Sequence, residues 1–226
     1  MISVIIPSFD AAAYLPRALA PLVAGAACGL VKQVIVADGG SGDATLAIAD
    51  AAGCDILASG KGRARQLIAG AGAARAPWLL FLHADTALAP GWLEEAAAFM
   101  AQTGASERAG AFRFAFDDST PAARGVQFWA RLRGAWLKLP YGDQGLLISR
   151  ALYDRLGGYR DLALMEDVDL VRRIGARRLV LLSAEAVTSA DKYRRDGYGK
   201  RSWRNLWLLA RYFLGADPNE LAKEYE

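Results

Sequence analysis

Apolar positions along the first hundred residues fall into short β-branched runs separated by polar, glycine-bearing loops and by stretches of helical spacing. Ile2–Ile6 is apolar on both faces, as a central parallel strand covered by helices above and below must be. The loop PSFD follows it. Val31–Ala37 repeats the pattern and runs into DGGSGD, after which Ala44–Ala52 has helical spacing, with Ser41 or Asp43 available as the N-cap. A weaker strand is expected at Asp55–Ala58, followed by GKGRARQ and a helix to about Ala74. The strand Trp78–Leu82 and a helix over Pro90–Gln102 complete the series.

Beyond residue 108 the order changes. A strand is expected at Ala109–Phe116, an amphipathic stretch at Val126–Leu139 and a strand at Leu146–Ser149. Helices follow near Ala151–Leu156 and Glu166–Ile174, then a last strand at Arg178–Leu182. Arg201–Leu214 reads as a Trp-rich helix, with a short one beginning near Pro218. The fold class expected is α/β: a doubly wound, mostly parallel sheet with helices on both faces, whose ligands sit at the carboxyl ends of the strands. The 226 residues suffice for one sizeable domain but not for two. Within it, 1–108 is expected to form the first half of the site, 109–200 to complete it, and 201–226 to add C-terminal helices.

Composition narrows the class only slightly. With 54% hydrophobic and 23% charged residues the chain is ordinarily globular, and a net charge of +3 is too small to mark a nucleic-acid binder. No nucleic-acid partner is expected. The two cysteines, Cys28 and Cys54, are too few for a disulfide framework and are expected reduced and buried. The N-terminus carries no basic leader, and no apolar run reaches the ~18 residues of a membrane span, so a cytoplasmic protein is expected. Trp203, Trp207 and Tyr212, flanked by RRDGYGKR, read either as core or as a helix lying on an anionic membrane at the inner face.

The candidate chemistry collects at strand ends. In LLFLHADT, His83 and Asp85 are two residues apart and project together from the end of a strand. They suit Mn²⁺ or Mg²⁺, with substrate phosphates completing the shell. A histidine bonded to a loop beside a turn-capping aspartate is the alternative. Asp38 ends its own strand beside two glycines, where it could meet a nucleobase or ribose or simply build the turn. No G-x-G-x-x-G follows the first strand and no Walker A sequence occurs, so any diphosphate must be neutralised by a metal and by arginines such as Arg63, Arg65, Arg194 or Arg195. Glu166 and Asp167 open a predicted helix, where acids are favoured with or without a catalytic role. A general base needs a carboxylate near an apolar pocket, its pKa raised toward working pH, and Asp167 is the candidate, with Glu166 behind it.

In their order, VIIPSFD, VIVADGGSGDAT, GRARQ, LLFLHADT, YGDQG, LMEDVDL and VTSADKYRRDG resemble the GT-A-fold inverting glycosyltransferases of family two. The likeness is to a small, single-domain bacterial subgroup with HADT in place of D-x-D. The resemblance implies metal-dependent transfer of a sugar from a nucleoside-diphosphate sugar to an unidentified acceptor hydroxyl. By position it implies a nucleoside pocket of Pro7, Phe9 and Asp38, with Arg63 at the nucleotide or its phosphates and Asp85 as metal ligand. His83 stands where the family has its first aspartate and joins Asp85 as a candidate ligand. Asp167 falls on the catalytic base, Asp143 and Gln144 on the acceptor side, and Arg194 remains a candidate phosphate contact. The chain departs from the subgroup at Ile68, often Asn, and at Asp191, Lys192 and Tyr193, where arginines and Trp are usual. Two rivals share the same type of sheet: a sugar-phosphate nucleotidyltransferase, which normally carries a basic glycine loop after its first strand, and a non-catalytic nucleotide-sensing or scaffold module.

Overall fold

The computed structural model describes residues 1–137 and 142–225, with the backbone alone for 133–137. The end of the predicted Val126–Leu139 stretch, and Tyr141 of YGDQG, lie outside the described residues.

Eight strands form one sheet. They are β1 (Ile2–Ser8), β2 (Val31–Asp38), β3 (Asp55–Ala58), β4 (Trp78–Phe81), β5 (Thr86–Leu88), β6 (Ala109–Phe116), β7 (Leu146–Ser149) and β8 (Leu179–Thr188), in the spatial order β3-β2-β1-β4-β7-β6-β8-β5. Six run parallel; β7 and β5 oppose them. Every residue of β1 is buried, because helices cover both faces of the sheet and alternate side chains serve different cores. Val4 and Ile6 pack with Leu19 and Leu22 of α1 (Leu15–Ala27), Ala49 of α2 (Thr45–Ala51) and Phe99 of α4 (Trp92–Met100). Ile5 points the other way, toward Leu67 of α3 (Arg63–Ala73), Leu152 of α6 (Arg150–Arg155) and Leu170 of α7 (Glu166–Ile174). A third core joins β6 to α5 (Pro121–Leu137) through Phe114, Phe116 and Ala123.

The chain closes with α8 (Asp191–Asp196), α9 (Tyr198–Phe213) and α10 (Pro218–Tyr225). No helix among the described residues is long and apolar enough to cross a membrane.

Three expectations need correction. Thr86–Leu88 is a strand that the sequence pattern hides: three residues are too short to show a period, and the segment is held by pairing with Ala186–Thr188. The last strand runs on to Thr188 for the same reason, since its second half pairs with both β6 and β5. Cys28 is exposed at the C-cap of α1, its thiol turned back onto the Gly25 carbonyl at 3.4 Å; Cys54 is partly buried, and both are free cysteines.

The β4–β5 link decides where the site lies. Four strand positions separate β4 from β5, about 19 Å in a flat sheet. Residues 82–85 must bridge them, yet this link is turned rather than extended, with Thr86 N–H donating to the His83 carbonyl at 3.1 Å. The far half of the sheet therefore curls back toward β4, and His83–Asp85 crosses the resulting cleft.

Candidate functional site

The His83–Asp85 link is pinned at three points. Leu82 N–H donates to Ile5 O at 3.0 Å, Thr86 N–H to His83 O, and Ser189 N–H to Asp85 O at 2.9 Å. These backbone bonds hold the side chains of His83 and Asp85 without using them. Both line a cleft enclosing about 860 Å³ of space open to solvent, together with Arg63, Asp143, Asp167 and Lys192.

Asp167 is placed by a strained helix start. Met165, the N-cap of α7, has φ of +66°, a left-handed conformation that costs a non-glycine residue on the order of 1–3 kcal/mol and persists only where its surroundings impose it. It turns Asp167 toward Gly142, whose N–H donates to Asp167 Oδ2 at 2.8 Å, while Val168 N–H donates to Oδ1 at 2.8 Å. Gly142 lies between the two candidate chemical groups. A Cβ there would stand 2.7 Å from His83 Nε2 and 3.1 Å from Asp167 Oδ2.

The electrostatics separate the neighbouring carboxylates. Burial by itself would raise the Asp167 carboxyl, but the Arg63 guanidinium, the Gly142 amide and His83 outweigh it and hold it below the usual range. The expectation of a raised pKa at Asp167 is thus corrected; Arg63 and the Gly142 amide come from outside LMEDVDL and were not visible in it. Glu166 is the carboxyl that burial raises, against the opposing pull of Arg63. It is 1% exposed, ion-paired with Arg63 Nε and absent from the cleft wall, so it positions Arg63 rather than standing behind Asp167. His83 is pushed down to about 4 by burial and then by Arg63, which leaves a neutral imidazole. Burial would raise Asp85 too, but the Lys192 ammonium, 3.3 Å from Oδ2, and His83 hold it low and ionised.

Among the described residues no three His, Cys, Asp or Glu side chains group closely enough to hold a metal alone. A neutral imidazole and an ionised carboxylate two residues apart, facing an open cleft, nevertheless fit a cation whose shell is completed by substrate oxygens. The donor set suits Mn²⁺ or Mg²⁺.

The other expected residues divide. Phe9 is exposed at the end of β1, with the Lys61 ammonium 4.7 Å from its ring centre and Gly39 packed against it. Pro7, buried, precedes it. Asp38, 4% exposed, turns into its own loop: Oδ2 accepts from the Gly40 and Ser41 amides at 2.7 and 2.9 Å, and Oδ1 from the Ser41 hydroxyl. Its observed role is the turn. None of these three lines the cleft, but α3 joins the two regions: Arg63 reaches the cleft, and one turn on, Gln66 Nε2 donates to Ser8 O at 2.6 Å and Ala37 O at 3.0 Å.

Asp143 lines the cleft, whereas Gln144 is buried and donates to Phe112 O at 2.9 Å. Its expected place facing an acceptor is corrected: residues of the Gly142–Gln144 turn alternate between cleft and sheet. Arg194 also lies outside the cleft wall. It bridges Asp191 at 2.6 Å, Asp118 at 3.4 Å and Asp117 at 3.5 Å, carboxylates that neutralise the charge expected for phosphate. Arg65 and Arg195 pair with Asp161 and Asp196 on the surface. Among the described residues the cations at the cleft are Arg63, Lys192 and Arg201, and Tyr193, Asn205, Leu208 and Tyr225 join Arg201 in roofing it from the C-terminal helices. Only Lys192 and Tyr193 had a signal, as departures within VTSADKYRRDG.

Comparison with known proteins agrees with this arrangement. Solved structures with the same fold include a mannosyltransferase from Pyrobaculum calidifontis in complex with GDP-Man and Mn²⁺ (TM-score 0.65, 18% identity, covering 90% of this chain and 59% of that one). TarS 1-349 from S. aureus matches with a TM-score of 0.63 at 17% identity, over 98% and 69% of the chains. Glucosyl-3-phosphoglycerate synthase from Mycobacterium tuberculosis, in complex with Mn²⁺, UDP and glucosyl-3-phosphoglycerate, matches with a TM-score of 0.54 at 20% identity, over 84% and 70%. The chain thus spans between 59 and 70% of these three. No curated protein sequence matches it. Residues 3–160 match the profile of glycosyl transferase family 2, a span that holds β1 to β7, the HAD link and Gly142, and the chain therefore belongs to that family.

Proposed function

We propose that the protein transfers a sugar, with inversion, from a nucleoside-diphosphate sugar to an acceptor hydroxyl, with Mn²⁺ or Mg²⁺ bound by Asp85 and His83. The observation that carries this reading is the convergence of Asp167, His83 and Asp85 on one cleft around Gly142. The structural relatives in complex with Mn²⁺ and UDP or GDP-Man support a donor of this class.

Each half of the chain then has a task. Residues 1–108 receive the nucleotide: its base lies against Phe9 and Pro7 at the end of β1, on the loop that Asp38 shapes. Arg63 and Lys192 supply positive charge to the diphosphate. Asp85 and His83 would hold a divalent cation there, which would supply Lewis-acid stabilisation to the leaving diphosphate. Residues 109–200 contribute Asp143 on the acceptor side and Asp167 as base. Both Asp167 oxygens keep a lone pair beyond the amide bonds they accept, and one can take the acceptor's proton. A carboxylate held this low is a weak base, so the proton moves only as the acceptor oxygen begins to bond to the anomeric carbon.

The test is calorimetric titration with nucleoside diphosphates, with and without Mn²⁺. The intact protein should bind one of them at least about tenfold more tightly with the metal, and Asp85→Ala should lose that enhancement. Equal affinity in both proteins would remove Asp85 from the metal site.

We also infer that α9 lies on a membrane surface at the cytoplasmic side. Its solvent face carries Trp203, Leu206, Trp207, Ala210, Phe213 and Leu214, an apolar stripe on a helix whose opposite face is already buried through Leu208 and Leu209. Trp203 is 72% exposed. Neighbouring α5 adds exposed Phe128 and Trp129, and exposed Arg124 and Lys200 suit anionic headgroups. Trp203→Ser with Trp207→Ser should abolish co-flotation with vesicles containing phosphatidylglycerol while leaving nucleotide affinity unchanged. Undiminished flotation would dismiss α9 as the contact.

A further inference from the structure

Helices α8 and α9 meet at Gly197, whose φ of +86° allows the sharp change of direction, and α10 folds back so that Arg201 donates to the Tyr225 hydroxyl at 3.0 Å. Between them lies a hollow lined by Lys192, Arg195, Asp196, Lys200, Arg201, Arg204 and Tyr225. Among these described residues five carry positive charge, and Asp196 is the single carboxylate. Its charge is already shared: Arg201 reaches it at 2.5 Å, Arg195 at 2.9 Å and Arg204 at 3.9 Å. The hollow therefore keeps a large positive surplus.

Two of its guanidinium groups are also fixed in place. Arg201 is 6% exposed and lies over the rings of Tyr193 at 5.4 Å and Tyr225 at 5.7 Å, and Arg204 lies over Tyr225 at 5.2 Å. Arg204 Nε is buried and has no hydrogen-bond partner among the described residues. Holding like charges close costs free energy, and a buried donor left unpaired costs more. Both costs are relieved by an anion that accepts several hydrogen bonds at once, as a phosphate does from arginine.

The hollow opens onto the catalytic cleft, because Lys192, Arg201 and Tyr225 line both. Lys192 stands where the hollow meets the donor diphosphate; the other described lining residues lie on α8, α9 and α10, and none comes from β1, β2 or α3, the elements that would hold the donor nucleotide. We propose that this hollow binds the phosphate group of the acceptor, so that the acceptor is a phosphate-bearing alcohol whose hydroxyl reaches Asp167. The assignment rests on the transferase reading above. A phosphate of this kind belongs either to a small phosphomonoester or to a lipid headgroup.

The experiment titrates the full chain, by calorimetry in the presence of Mn²⁺ and its nucleoside diphosphate, with two probes. One is glycerol 3-phosphate and the other is dihexanoyl-phosphatidylglycerol below its micelle concentration, so that no membrane surface takes part. Lys200→Glu with Arg204→Glu reverses charge in the hollow, Lys200→Gln with Arg204→Gln removes it, and Lys32→Glu with Arg75→Glu makes the same charge change at a distance. Binding of either probe, weakened at least tenfold by both hollow variants and not by the distant one, is the expected result, and the probe that binds names the source. If neither probe binds the intact protein, or the hollow variants bind as well as the distant one, the proposal fails. If the hollow variants lose the nucleoside diphosphate instead, the hollow belongs to the donor and the acceptor assignment is overturned. A chain that binds no nucleoside diphosphate in any form fails at the earlier transferase reading, and that result is read separately.

Discussion

Asp167→Asn should lower the rate of sugar transfer about a thousandfold and leave nucleoside-diphosphate affinity within about twofold of the original, since proton transfer by a positioned base contributes typically 10²–10⁴. The substitution keeps size and shape but removes the negative charge and one acceptor. Asp167 takes an amide on each oxygen, from Gly142 and Val168, and asparagine can take only one of them. The mismatch should cost on the order of 1 kcal/mol of stability, the usual net value of one hydrogen bond, and lower the melting temperature by a few degrees. Melting curves and single-turnover rates on the same preparation separate the two effects. A folded variant that transfers sugar at the original rate would remove Asp167 from the mechanism, and a thousandfold loss that accompanies lost nucleotide binding would assign it to the donor site instead.

Gly142→Ala should be nearly as damaging, although it adds a single methyl group and touches no charge. The new carbon would stand 2.7 Å from His83 Nε2 and 3.1 Å from Asp167 Oδ2, closer than ordinary van der Waals contact. Neither neighbour moves freely. The His83 link is pinned by three backbone bonds, and Asp167 by two amides and the N-cap conformation of Met165. A displacement of about 1 Å in a reacting group can cost about a hundredfold in rate, and here it would fall on the proposed ligand and the proposed base together. We expect a loss of about a hundredfold or more in kcat, with weakened Mn²⁺ dependence of nucleotide binding and a melting temperature lowered by a few degrees, since overpacking against held neighbours costs about 1–3 kcal/mol. An unimpaired Gly142→Ala enzyme would show that His83 and Asp167 do not act at the distance seen here.

Sequence and structure agree most closely where local chemistry decides the outcome. Asp55–Ala58 forms a strand at the expected bounds, and Arg63 begins the helix after GKG, because pattern and punctuation are read from adjacent residues. The expected cap is corrected: Ala44, with no capping side chain, is the N-cap of α2, while Asp43 stands one residue earlier, where its carboxylate accepts from the Thr45 amide at 2.9 Å and ties down Ala12. The cleft was legible as a set of acids at strand ends. His83, Asp85, Asp143, Asp167 and Arg63 do line one wall system.

The assignments that failed share one cause. Arg194, Gln144 and Glu166 were judged by residue type, yet what each does depends on partners far away in the chain: Asp117 and Asp118 for Arg194, Phe112 for Gln144, Arg63 for Glu166. A guanidinium shared among three carboxylates, as Arg194 is, keeps no surplus charge for phosphate, and no local pattern records that meeting.

The order of apolar runs and turns determined by itself that this chain builds a largely parallel, helix-covered sheet with acidic groups at its carboxyl ends, because burial and backbone geometry follow from neighbours in sequence. Only the tertiary structure decided which of those groups share a cleft and how each titrates. The curl of the sheet brings β5 and β8 back over β4, Lys192 reaches Asp85 across 107 residues, and burial, distance and opposing charge then set the chemistry of each group.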